Sequence, residues 1–118
     1  MFDESDIIYR YTSEEAVEDG ILINLDQIFP GYEKTNLFKY ATTNLMNQGY
    51  IEKDEIKRAA IQDMLMQAHA IAKSKSDGFT QPDWFYSGDI ELPDGSKQQI
   101  FIEKNETGRY TVMLPQDH

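Results

Sequence analysis

A chain of 118 residues, 40% hydrophobic and 27% charged, has the size and composition of one globular domain, long enough to bury roughly two thirds of the surface its unfolded form exposes. The absence of cysteine excludes disulfides, thiolate zinc sites and cysteine nucleophiles. A formal net charge of −10 argues against direct nucleic-acid binding, and no apolar run approaches the ~20 residues that span a bilayer. The opening MFDESD is acidic where a secretory signal would be basic, so a cytoplasmic location and no membrane contact are expected.

Charge divides the chain into three parts of an expected single domain, residues 1–118. Residues 1–33 hold nine acids and one base, 34–78 five acids and seven bases, and 79–118 seven acids and three bases. Within the first part, Ile7 to Leu25 carries dense local instruction. Thr12 precedes Glu15 by three residues, the capping-box spacing, so a short helix is predicted from Ser13. Tyr11 and Ala16 fall at hydrophobic-staple positions, and Gly20 supplies the left-handed C-terminal cap. Two turns of helix are unstable alone, so the flanking runs Ile7-Ile8-Tyr9 and Ile21-Leu22-Ile23 are expected to hold it by packing. Glu18 and Asp19 break the pattern, because carboxylates in a last helical turn oppose the dipole.

Pro30-Gly31 marks a turn into a helical hairpin expected over 34–78. Thr35 is placed to cap a helix from about Asn36 to Gln48, with Leu37, Phe38, Ala41, Leu45 and Met46 on one side and Gly49 as its stop. A second helix is predicted from about Asp54 to Lys75, where Ile56, Ala60, Ile61, Met64, Leu65, Ala68, Ile71 and Ala72 recur at helical spacing. Beyond the loop Ser74 to Pro82 the period changes to two. Trp84 to Leu92, Gln98 to Lys104 and Arg109 to Leu114 read as an antiparallel meander turned by Pro93-Asp94-Gly95-Ser96 and Asn105-Glu106-Thr107-Gly108. The expected fold class is α+β: a three- to four-stranded antiparallel sheet, with Ile21–Leu25 as the optional fourth strand, packed against two main helices plus a short N-terminal helix.

Three blocks carry a resemblance. They are Asp6-Ile7-Ile8-Tyr9 with Tyr11-Thr12, Ala16 and Glu18-Asp19-Gly20-Ile21-Leu22-Ile23; then Asp63-Met64-Leu65 with Ala68 and Ala70-Ile71-Ala72-Lys73; and finally Thr111-Val112-Met113-Leu114-Pro115. On these the chain resembles a family of small uncharacterised bacterial proteins described as domain of unknown function 6573. Between Asp26 and Ile51 it departs from that pattern. The resemblance implies one complete domain in a plasmid, phage or integrated-element setting, and it brings no catalytic residues.

Catalytic constellations are not found in the residues themselves. His69 lies at the edge of the long helix's apolar stripe, where the family pattern favours an aromatic, and a packing role is expected for it. His118 is expected to be disordered. Two such histidines make no metal site, and neither a nucleophile elbow nor a Gly-rich phosphate loop is present, so no cofactor, metal or catalytic residue is assigned. Phe85 alternates away from Trp84 and Tyr86. It shares parity with Phe101 and Met113, which makes a second apolar patch on the sheet's other face. The first functional expectation is therefore a non-enzymatic interaction domain that binds a protein partner through Phe85, Phe101 and Met113 or through Glu18 and Asp19. An inhibitor imitating DNA, presenting carboxylates in place of phosphates to a nuclease or restriction complex, is the alternative, and an enzyme of unknown reaction is third.

Overall fold

Thr12 opens the first helix as its spacing predicts. Its hydroxyl accepts the Glu15 N–H at 3.1 Å and donates to the Glu15 carboxylate at 3.2 Å, starting helix α1, Ser13–Glu18. Gly20, at φ +78°, ends it. The N–H of Ile21 returns to Ala16 and that of Gly20 to Val17, the bond pair of a Schellman cap. The computed structural model describes residues 12–76 and 84–118; the Tyr11 half of the staple and the run Ile7-Ile8-Tyr9 lie outside them.

Strand β1, Leu22–Asn24, runs directly into α2, Leu25–Ile28, whose N-cap Asn24 accepts the Asp26 N–H at 2.9 Å. The next residues correct the sequence reading. No helix forms from Asn36 to Gln48: Phe38–Thr42 is strand β2, and only Thr43–Met46 is helical, as α3, capped by the Thr42 hydroxyl. The expected helical hairpin over 34–78 is accordingly absent. Gly49 opens instead into a β-hairpin, β3 (Ile51–Glu52) and β4 (Glu55–Ile56), whose Lys53 and Asp54 both have positive φ, as a two-residue type I′ connection demands. The long helix α4, Arg58–Ser76, follows. Strands β5 (Phe85–Glu91), β6 (Lys97–Lys104) and β7 (Tyr110–Met113) form the predicted meander, and Pro115–Asp117 closes as a 3-10 turn.

The sheet is larger than expected and not purely antiparallel. Its order is β1-β2-β7-β6-β5, and β2 lies parallel to β7, with Phe38 opposite Tyr110 and Ala41 opposite Val112. Five strands with one parallel pair thus replace the three- to four-stranded antiparallel sheet. The β3–β4 hairpin is a separate two-stranded sheet, and α4 is the single long helix among the described residues.

Side-chain parity gives the sheet two faces. Tyr86, Ile90, Ile100, Ile102 and Val112 point to the inner face, where they form one buried cluster with Ile61, Met64, Leu65 and Ala68 of α4. Where α4 crosses β5 the contact is close: a Cβ on Gly88 would lie 2.9 to 3.0 Å from the Ile71 side chain. The outer face carries Phe85, Phe101, Glu103, Thr111 and Met113, and is partly covered by α1 on one side and by the closing turn on the other.

Candidate interaction surface

The shared parity of Phe85, Phe101 and Met113 is realised. Met113 pairs directly with Phe101 across β6–β7, and the rings of Phe85 and Phe101 meet edge to face with centroids 5.0 Å apart. Met113 is buried, Phe85 and Phe101 are half-buried, and Trp84, 53% exposed, extends the row with its ring 5.8 Å from Phe85. The sequence reading missed the cover. His118 lies 5.3 Å from Phe85 and 5.4 Å from Phe101, and its Nε2 is 2.6 Å from the Glu103 carboxylate, so the residue expected to be disordered is anchored. Asp117 fixes the same turn, accepting from the Thr42 hydroxyl and the Asn44 amide at 2.7 Å each.

Between α1 and this turn lies a cleft of about 440 Å³, floored by Leu22, Thr111 and Met113. Three carboxylates line it, and each is answered: Glu103 by His118, Asp117 by Thr42 and Asn44, and Glu106 by Ser13. The last contact docks α1. Ser13 donates its backbone N–H at 2.6 Å and its hydroxyl at 2.9 Å to Glu106, a carboxylate in the β6–β7 turn. Burial raises the Glu106 pKa, but the Ser13 bonds, with the Glu106 backbone N–H and the charge of Lys39, together outweigh it and hold the group below its ordinary value.

A second tie joins the first third to the last hairpin. Arg109 donates both terminal nitrogens to Asp26 at 2.8 Å, and also reaches the carbonyls of Asn36 and Phe38. The Arg109 hydrogen bonds lower the Asp26 pKa despite partial burial, and Lys39 at 3.7 Å adds to the effect. Neither Arg109 nor Glu106 was singled out from sequence, because each acts on a residue more than 80 positions away.

The other predicted positions are dispersed. Glu18 is exposed at the end of α1; Asp19, its C-cap, is engaged within the fold, and no cation lies in that last turn. The pair lies apart from the aromatic row in sequence and element. His69 is exposed on α4 rather than packed, and it borders two shallow grooves of about 410 and 430 Å³. Their linings are largely apolar, with Leu37 common to both, and neither contains a carboxylate to work with the imidazole. Among the described residues no group of three metal-ligating side chains comes together, and no helix is long and apolar enough to cross a membrane.

Fold and surface together define an α+β domain with a five-stranded mixed sheet, one face packed by a long helix and the other bearing an aromatic row. Compared with known proteins, the chain matches no family model, no curated protein and no solved structure.

Proposed function

We propose that this chain is a non-enzymatic accessory domain that binds a protein partner in the cytoplasm, in the plasmid, phage or integrated-element setting that its resemblance implies. The observation that supports this reading is the aromatic pair Phe85 and Phe101 on the sheet's outer face, with Trp84 just before β5, its ring against Phe85 and half in solvent. Large aromatic side chains standing beside a polar rim are the residues that most often anchor protein interfaces. Glu18 and Asp19 contribute charge at a distance, steering rather than anchoring.

Affinity capture from the host, with and without the mobile element's genes, compares the native chain with Trp84→Ala. Because Trp84 is exposed, its truncation leaves the fold intact and removes only the anchor. The expected result is one reproducible partner whose recovery falls about tenfold with the variant. A partner recovered equally by both forms, or none at all, overturns the aromatic surface. Recovery of a nuclease or restriction subunit lost on Glu18→Gln with Asp19→Asn, and not on Trp84→Ala, would favour the DNA-imitating inhibitor instead.

A further inference from the structure

Among the described residues strand β5 is an edge of the sheet, and its hydrogen-bonding pattern shows which backbone groups it leaves open. Lys104 donates to the Trp84 carbonyl and Leu92 to the Ser96 carbonyl, both across the β5–β6 ladder. Bonded and non-bonded pairs alternate in an antiparallel ladder, so Tyr86, Gly88 and Ile90 point their N–H and C=O groups at β6. Those of Phe85, Ser87, Asp89 and Glu91 therefore point away from the sheet.

Among the described residues only the last of these is answered. The Gln67 side chain, reaching round from α4, accepts the Glu91 N–H at 2.8 Å and donates to the Glu91 carbonyl at 3.2 Å, as a neighbouring strand would. Asp63 holds the same amide from behind at 3.0 Å. Among the described residues nothing pairs with the outward groups of Phe85, Ser87 and Asp89. What remains is a docking length of five residues, closed at one end by Gln67.

The side chains along this length indicate the chemistry that fits. Its outer row runs Phe85, Ser87, Asp89, Glu91, with no cation. On the inner side Gly88 presents no side chain, which leaves the half-buried Ile71 of α4 next to the edge. A second copy of the chain would bring two molecules of −10 together along a row that offers no positive charge. A strand with a basic residue against Asp89, an apolar one against Phe85 and another against Ile71 complements all three positions.

We propose that the free edge of β5, at Phe85, Ser87 and Asp89, docks an extended basic and apolar segment of a protein partner by strand addition. This rests on the interaction-domain reading above and names its binding mode. The test uses fluorescein-labelled octapeptides of Val and Thr with Lys at the position that meets Asp89 and Val at those that meet Phe85 and Gly88, the same peptides with Glu for Lys, and the Lys peptide N-methylated at alternate residues. Ser87→Pro is the matching protein variant, because a proline whose missing N–H faced outward leaves the β5–β6 ladder whole. Asp89→Lys reverses the charge.

The expected result is binding of the Lys peptide that weakens about tenfold on N-methylation or with Ser87→Pro, and a switch of preference to the Glu peptide with Asp89→Lys. Binding unchanged by N-methylation is adhesion to an acidic surface and overturns the proposal whatever the stability of Ser87→Pro. So does no binding below about 1 mM, or a dimer in light scattering that Ser87→Pro dissolves. A captured partner lost with Trp84→Ala but kept by Ser87→Pro would leave the interaction domain standing and remove only strand addition.

Discussion

Asp26 shows how much one side chain organises here. Arg109 grips it with two bonds of 2.8 Å while holding two carbonyls of the segment leading into β2, so α2, that segment and β7 meet at one guanidinium. Both side chains are less than a fifth exposed, and removing one partner leaves the other charge partly desolvated. Asp26→Asn is expected to lower stability by about 2 kcal/mol at pH 7, measured by urea denaturation. The pH dependence has a defined sign. The folded pKa of Asp26 is depressed, so its contribution is full above the usual 3.8 and disappears as pH falls through the lower folded value; the gap between native chain and variant should close on acidification below 3.8. A gap that is constant with pH would mean that the ion pair contributes nothing and that the variant acts by packing alone. Tyr50 is the counterexample at the same scale. It is buried, its hydroxyl has no hydrogen-bond partner among the described residues, and burial pushes its pKa up to about 12.

At the scale of elements, the join between α4 and β5 depends on a missing side chain. Ile71 occupies the space a Cβ at Gly88 would need, so the helix can lie this close only over glycine. Gly88→Ala should cost about 1 to 3 kcal/mol, with Ile71→Ala in the same chain recovering part of it; thermal unfolding of the single and double variants measures both. Equal stability of Gly88→Ala and the native chain would show that α4 shifts freely. Nothing in the sequence marks this glycine, because its neighbour is set by the crossing of two elements. The meander, by contrast, was legible: period-two alternation and two Gly-containing turns locate β5, β6 and β7 to within a residue or two. The short helix α1 was also legible, since its caps are local. Strand β2 was not. Phe38, Tyr40, Ala41 and Thr42 are all buried, so the strand shows no alternation, and Leu37, Phe38, Ala41 and Leu45 happen to match a helical stripe. What makes it a strand is its parallel pairing with β7, some seventy residues on. The β3–β4 hairpin hid for a related reason, since Lys53-Asp54 takes a conformation that Asn-Gly usually announces. For the candidate surface, parity predicted the row of Phe85, Phe101 and Met113. It could not show His118 lying over it or Gln67 closing the neighbouring edge, both long-range contacts.

Across the whole molecule, folding brings the two negative thirds together. The Glu106 carboxylate pins α1 to the β6–β7 turn, and the cleft beside it gathers Glu103, Glu106 and Asp117. Each local contact is favourable, yet the sum is a net charge of −10 in a body whose Cα radius of gyration is 14.7 Å. Self-repulsion of this kind is a long-range effect, weaker in the expanded chain, and it is screened by salt. The Debye length falls from about 30 Å at 0.01 M to about 8 Å at 0.15 M, so the repulsion across the molecule is lost first. The attractive Asp26–Arg109 pair, at 2.8 Å and partly buried, is screened least. Sodium chloride should therefore raise the free energy of unfolding, on the order of 1 kcal/mol between those two ionic strengths, when urea midpoints are compared at pH 7. Chloride rather than sulfate is the right salt, because sulfate strengthens apolar burial by exclusion and would give the same sign for another reason. A fall in stability with sodium chloride would mean that the attractive pairs outweigh the repulsion. The acidic thirds would then be held by local pairs strong enough to offset the self-repulsion of an uncompensated −10.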